Sequence, residues 1–221
     1  MSGTLSHLTL DSGKSPQHSI IWLHGLGANG EDFVPIVDEM HLHKPVRYLF
    51  PNAPKRPVTI NGGFVMPAWY DISSTDFSAN QDENGIRASQ VEIEKLIAQE
   101  TGRGIAPEHI FLAGFSQGGV IALHTGLRHK KRLGGIIALS TYLALARTLE
   151  VEITQAASST PIFMAHGHHD PVVPYSIGKS SAEVLSRNGC QLEWREYPMQ
   201  HTVCMEEIQA IEIWLNAKMA E

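Results

Sequence analysis

Ala113-Gly114-Phe115-Ser116-Gln117-Gly118-Gly119 is the stretch on which the reading of this chain turns. It follows an apolar run, Ile110-Phe111-Leu112, and leads into a helical pattern, Val120-Ile121-Ala122-Leu123-His124. A strand that turns sharply into a helix through G-x-S-x-G is a nucleophile elbow. The residue types follow from the geometry. So sharp a turn holds the serine backbone in a strained conformation and stands its hydroxyl clear of the sheet. A Cβ at Gly114 or Gly118 would clash where strand and helix pass closely. The amide after the serine, the Gln117 N–H, falls at a helix N-terminus, where it can meet a developing oxyanion. On this reading the backbone of Gln117 matters and its side chain contributes little. A pentapeptide also arises by chance as a Gly-rich turn with a bystander serine, so the rest of the chain must supply the partners.

A serine hydroxyl is a poor nucleophile unless a base takes its proton, and the base needs an acid to orient it. Behind such an elbow the order along the chain is Ser, acid, His. In open parallel sheets the functional residues sit in loops beyond the C-terminal strand ends. Two loops downstream of Ser116 qualify. One follows an apolar run at 161–165 and contains Asp170; the other follows a run at 191–197 and contains His201, just before the last helical pattern. Asp71, Asp76 and Asp82 precede the serine and break the order, and Glu193 and Glu196 fall inside a strand. His166, His168 and His169 crowd Asp170, but acid and base adjacent in sequence would have difficulty meeting across the serine. A second oxyanion donor is expected after an early strand. The segment His24-Gly25-Leu26-Gly27 stands there, with the Leu26 N–H as the candidate donor.

Outward from these motifs the chain alternates strand and helix. Strands are expected at 4–10, 18–23, 46–50, 109–115, 135–139, 161–165 and 191–197, and helices at 31–40, 84–99, 117–129, 175–187 and 202–218. Short apolar strands alternating with helices indicate an α/β fold, a mostly parallel central sheet with helices on both faces. Residues 51–71 hold Pro51, Pro54, Pro57 and Pro67 with Asn61-Gly62-Gly63, and read as a surface loop or partial lid. No repeat, linker or low-complexity tract divides residues 1–221, so a single domain is expected.

The composition excludes several classes. With 221 residues, 43% hydrophobic and 18% charged, this is an ordinary globular chain. A formal charge of −6 leaves no basic surface for nucleic acid. Its longest basic run, Arg128-His129-Lys130-Lys131-Arg132, falls where a helix ends and complements the helix dipole. Two cysteines, Cys190 and Cys204, make no disulfide framework, and no signal peptide or membrane-length apolar stretch is present, which favours a cytoplasmic setting without integral membrane association.

Two further motifs compete with the serine elbow. Gly25-x-Gly27-x-x-Gly30 also matches a dinucleotide fingerprint, but that needs an acidic residue about 20 positions on, and none occurs between Glu39 and Asp71. The cluster His166-x-His168-x-Asp170 is similar to a binuclear metallohydrolase motif, yet Pro171 replaces the final histidine and the elbow would go unexplained. No metal and no cofactor are therefore expected, the histidines being read as solvent-facing neighbours of the acid.

The residues quoted so far, with Trp22-Leu23-His24-Gly25-Leu26-Gly27, Phe50-Pro51-Asn52-Ala53-Pro54, Arg56-Pro57-Val58-Thr59, Trp69-Tyr70-Asp71-Ile72, Leu139-Ser140-Thr141-Tyr142-Leu143, Val173-Pro174 and His201-Thr202-Val203-Cys204, carry a family resemblance. The chain resembles the carboxylesterase/phospholipase family of α/β-hydrolases, which includes the acyl-protein thioesterases, and looks closest to its bacterial carboxylesterases. The resemblance implies an α/β-hydrolase fold, Ser116 as nucleophile, His201 as base, Asp170 as orienting acid, and an oxyanion hole from Leu26 and Gln117. It implies a serine carboxylesterase that acts on small-molecule or lipid esters and extends to acyl thioesters, including those of acylated proteins. Lysophospholipase activity on the same scaffold is the alternative, and homodimers are frequent in the family. With the length consumed by the core there is no separate cap domain. The acyl chain is therefore expected in a shallow groove lined by Phe64, Val65, Met66, Trp69, Leu143 and Val173.

Overall fold

The protein is described by a computed structural model covering residues 4–77 and 80–221, so residues 1–3 of the polar lead-in lie outside the described part. In chain order the strands are β1 (His7–Asp11), β2 (His18–Leu23), β3 (Val46–Pro51), β4 (Lys55–Val58), β5 (Phe64–Pro67), β6 (Ile110–Phe115), β7 (Gly135–Leu139), β8 (Ile162–Gly167) and β9 (Leu192–Tyr197). The helices are α1 (Ile36–Glu39), α2 (Glu83–Gly102), α3 (Gln117–Arg128), α4 (Ala146–Glu152), α5 (Gln155–Ser158), α6 (Tyr175–Arg187) and α7 (Met205–Lys218). Seven strands form one sheet in the order β1-β3-β2-β6-β7-β8-β9. All neighbours run parallel except β1, which is antiparallel to β3.

Strand periodicity sorts the core onto the two faces of this sheet. Ile21, Leu23, Leu112, Ile136 and Ile162 face one cluster with Ile93 and Leu96 of α2, Val120 and Leu123 of α3, and Leu185 of α6. Their neighbours Ile20, Trp22, Phe111, Ile137 and Phe163 face the other, with Ile36 of α1 and Ile211, Trp214 and Leu215 of α7. Both faces are covered, which is why β2, β7 and β8 are buried along their whole length without alternation. Each such side chain contributes about 1.5–3 kcal/mol by leaving water.

The chain enters the sheet at its β1 edge and crosses to β2, the third strand. From β2 it steps outward to β3, then returns past β2 to β6 and continues to β9. The C-terminal ends of β2 and β6 therefore diverge at a topological switch point, the place where open α/β sheets form a crevice. Leu23 pairs with Gly114 there, so the loop starting at His24 lies beside the turn starting at Phe115.

Helices α4 and α5 were not among the sequence expectations, and two further regions depart from them. The helix expected over 31–40 is divided. Asn29 caps a 3-10 turn over Gly30–Phe33, and α1 begins only after Pro35, which has no N–H to continue a ladder. The segment 51–71, expected as an irregular loop, contains an antiparallel hairpin in which Arg56 pairs with Met66 and Val58 with Phe64. Proline survives in a two-stranded ribbon because each strand is an edge whose outward N–H needs no partner. Gly62 and Gly63, at φ 66 and 80, make the reversal, and Asp71 closes the base by accepting both the Thr59 N–H at 2.7 Å and its hydroxyl at 2.6 Å.

Candidate active site

Ser116 stands between β6 and α3 with φ 54 and ψ −120, a conformation rare for a residue with a side chain. Its backbone is held from β7: the Ser116 N–H donates to Leu139 O at 2.9 Å, and the Thr141 hydroxyl donates to Ser116 O at 2.7 Å. Close approach demands the glycines. A Cβ on Gly114 would lie 2.3 Å from Gly118 O, and one on Gly118 would lie 2.3 Å from Leu23 O. The elbow is thus locked to the end of β2 as well as to β7.

The loops after β8 and β9 bring Asp170 and His201 together. His201 Nδ1 donates to Asp170 Oδ2 at 2.7 Å, leaving Nε2 as the free nitrogen. Asp170, 8% exposed, accepts the Val172 and Val173 N–H groups on Oδ1, each at 2.8 Å. Three donors on a buried carboxylate fix its orientation. The His201 ring lies 4.7 Å from that of Phe115, the residue before Ser116. Ser116, Asp170 and His201 thus follow the C-terminal ends of β6, β8 and β9, with Asp170 and His201 in direct contact.

Across the switch point, His24-Gly25-Leu26-Gly27 runs beside the elbow. A Cβ on Gly25 would sit 3.6 Å from the Ser116 Cβ. His24 is wholly buried; its Nε2 accepts the Ala53 N–H at 3.0 Å, so Nδ1 carries the proton and donates to Gly25 O at 2.7 Å. Burial lowers its pKa and keeps the ring neutral. Trp69 Nε1–H donates to His24 O at 2.8 Å. Gln117, 2% exposed, completes the frame: its side-chain oxygen accepts the Trp69 N–H and its amide donates to Tyr70 O, both at 2.8 Å. The Gln117 side chain, expected to contribute little, is therefore a structural strut of the site. His24 and Gln117 were missed as struts because their partners, Ala53, Trp69 and Tyr70, lie on separate loops. For His24 the available signal was a polar residue between Leu23 and Gly25; Gln117, beside Ser116, offered none.

The expected groove residues separate into two sets. Phe64 and Val65, 69% and 57% exposed, stand on β5. Met66, half-buried, brings its sulfur within 3.6 Å of a Cβ position on Gly27, and Gly27 N–H donates to Pro67 O at 2.9 Å, tying the hairpin to the Leu26 loop. Trp69 is fully buried, so as a groove-lining residue it is corrected to a core strut. Val173, 2% exposed, likewise belongs to the core, its N–H on Asp170 and its carbonyl on His166. Leu143, 6% exposed, edges a cleft of about 500 Å³ beside α4 and α6, where Phe77, Tyr142 and Ile177 are further walls.

His166 is not solvent-facing, contrary to the sequence reading. It is fully buried, donates from Nε2 to Val173 O at 2.8 Å and lies 3.4 Å from Asp170 Oδ2. Burial lowers its pKa, so a neutral ring braces the turn that carries the acid. His168 is exposed and faces Glu196 at 3.8 Å instead. His168 thus points away from the His166–Asp170 pair, and among the described residues no three His, Cys, Asp or Glu groups converge as a metal site.

Known proteins resemble this chain over most of its length. The profile of the phospholipase/carboxylesterase family matches residues 7–219. Acyl-protein thioesterase 1 of Gibberella zeae is 37% identical, covering 99% of this chain and 97% of that protein. Its Neurospora crassa counterpart is 40% identical over 91% of this chain and 86% of its own length. Among solved structures, Arabidopsis thaliana SOBER1 superposes with a TM-score of 0.86 at 32% identity, covering 91% of this chain and 99% of that one.

Proposed function

The chain belongs to the phospholipase/carboxylesterase family of α/β-hydrolases and is an ester and thioester hydrolase; from that premise we propose that Ser116, His201 and Asp170 form its catalytic triad. The observation that carries this is the 2.7 Å His201–Asp170 bond, with the acid's other oxygen held by two amides, beside a strained serine elbow. Asp170 fixes the proton on His201 Nδ1, so Nε2 is the basic nitrogen. Ser116 Oγ attacks the carbonyl carbon as Nε2 takes its proton. The oxyanion that forms is met by the Gln117 N–H and the Leu26 N–H. Its collapse releases the alcohol or thiol, which leaves with the proton from His201. Water, deprotonated by the same nitrogen, then cleaves the acyl-enzyme and frees Ser116.

For the substrate we propose acyl esters and thioesters, including those of acylated proteins, because the relatives at 37–40% identity are acyl-protein thioesterases. The exposed Phe64 and Val65, on a hairpin bonded to the Leu26 loop, offer an apolar surface for the acyl chain. Two free thiols fit a reducing compartment, and among the described residues no helix is long and apolar enough to cross a membrane. The test is covalent labelling with a fluorophosphonate followed by peptide mapping. The adduct is expected on Ser116, and Ser116→Ala should lower kcat by about 10⁴–10⁶. Absence of the adduct would overturn the triad. A panel of p-nitrophenyl esters of rising chain length, palmitoyl-thioester peptides and lysophospholipid then ranks the substrates.

A further inference from the structure

The seven-stranded sheet ends at β9, and among the described residues no strand lies beyond it. Gln191 O accepts the Ile162 N–H at 2.8 Å, and Tyr197 O accepts the His168 N–H at 2.9 Å. Odd-numbered residues here thus turn their peptide groups to β8, while Leu192, Trp194 and Glu196 turn theirs outward. A row of outward N–H and C=O groups is a template for another strand. Side chains divide by the same alternation. Leu192 and Trp194 pack on the α6 side, whereas Tyr197 joins the α7 side, the face that Glu193 and Arg195 share. Glu193 and Arg195 are both exposed and pair with each other at 2.8 Å.

Charges on an edge ordinarily keep other chains away. On β9 the charge pattern matches itself. A second copy of β9 can lie antiparallel on the first about a two-fold axis, outward peptide groups bonded to outward peptide groups. With Trp194 opposite Trp194 of the second copy, Leu192 of each chain exchanges bonds with Glu196 of the other. Glu193 then stands opposite Arg195 of the second copy, and Arg195 opposite its Glu193. These are non-hydrogen-bonded pairs with Cα atoms about 4.5 Å apart, where side chains lie closest. The next register on either side that keeps outward groups paired sets Glu193 against Glu193 or Arg195 against Arg195, which repels. Charge therefore selects one register. Glu196 does not oppose it, because its carboxylate is turned back into its own chain, accepting the Tyr175 hydroxyl and Trp194 Nε1 at 3.2 Å. Along this edge a groove of about 480 Å³ runs between β9 and α6, with Ala182, Leu192 and Trp194 among its walls. Leu192 and Trp194 of a second copy lie on the same face and cover it.

We propose that the β9 edge is a self-association surface, on which a second copy of this chain pairs β9 to β9 about a two-fold axis at Trp194. The contact joins two seven-stranded sheets into one and, being isologous, closes at two copies. It is independent of the roles assigned to Ser116, Asp170 and His201.

Sedimentation equilibrium of the full chain from about 1 to about 100 µM tests the pairing. Wild type is expected to pass from 24.3 kDa to twice that mass. R195E and E193R each set like charges opposite one another and should weaken association about tenfold or more. E193R/R195E restores opposed charges with their places exchanged, and should return association to within about threefold of wild type. In hydrogen exchange, the Leu192, Trp194 and Glu196 amides should slow in wild type relative to R195E at the same concentration. A wild type that stays monomeric at about 100 µM overturns the proposal. So does association that both single variants leave unchanged, or slowed exchange at β1 or β5 in place of β9. Should R195E not fold, E193R and the wild-type exchange pattern decide. Fluorophosphonate labelling of the same samples reports on Ser116 separately, so failure of the triad and failure of this surface are distinguishable.

Discussion

Ser116 adopts a backbone conformation that costs on the order of 1–3 kcal/mol, and the bonds to Leu139 O and from Thr141 hold it there. Its neighbour Gln117 shows how one residue can serve the site twice. The backbone N–H faces the place proposed for the oxyanion, and the side chain ties Trp69 and Tyr70 to the elbow. Alanine keeps the first role and removes the second. It would strand the Trp69 N–H and the Tyr70 carbonyl in a buried site, at about 1–3 kcal/mol each. Gln117→Ala should therefore lower the unfolding free energy by about 2–4 kcal/mol in urea titration. Well below its melting temperature its kcat should fall less than about tenfold, since the amide donor remains. An unchanged urea midpoint would show that the side chain is no strut.

At the scale of elements, α4 is the instructive case. Leu149 is its one buried residue, so no apolar stripe announced a helix in the sequence. Charge holds it instead. Glu152 accepts Arg128 Nε at 2.6 Å and Thr148 Oγ1 at 2.7 Å on one oxygen, and Arg87 Nη2 at 2.6 Å on the other, joining α2, α3 and α4. Arg128, read from sequence as the start of a basic run that complements the helix dipole, is 9% exposed and also belongs to this network. Burial alone would raise the Glu152 carboxyl, but hydrogen bonds from Thr148, Arg128 and Arg87 outweigh it and bring it down to about 2. A carboxyl depressed in the folded state stabilises above the unfolded value, near 4.5, and loses that contribution as pH falls toward 2. Allowing for solvent screening, the contribution is about 1–2 kcal/mol. Glu152→Gln should thus be less stable than wild type at pH 7, and the gap should close between about pH 5 and pH 2 in urea unfolding. A gap independent of pH would mean that packing, not charge, holds α4.

For the molecule as a whole, what the sequence made legible was what repeats or stays in order. Alternation of apolar strands and helices marked the sheet, and the succession Ser116, Asp170, His201 pointed to the ends of β6, β8 and β9, where Asp170 and His201 are bonded. The 51–71 hairpin was hidden because its prolines signal breaks, while its pairing depends on edges that tolerate them. The struts were hidden because Gln117 and Trp69 are 48 residues apart, and no local pattern encodes such a bond. The same distance between causes runs along α7. Its first turn follows His201, whereas its far end closes one face of the sheet through Trp214, 6% exposed, with ring centroids 6.3 Å from Phe111 and 5.9 Å from Phe163. Gly135 makes room for it: a Cβ there would lie 2.4 Å from the indole. Trp214→Ala removes that plug and should cost about 3–5 kcal/mol, a fall of roughly 8–15 °C in Tm for a chain of this size. Because His201 is held at the opposite end, by Asp170, kcat at about 10 °C should stay within about threefold of wild type. Stability and turnover should therefore separate in this variant, when thermal melts are compared with ester hydrolysis on the same samples. A loss of turnover as large as the loss of stability would mean that α7 transmits strain from Trp214 to the base along its whole length.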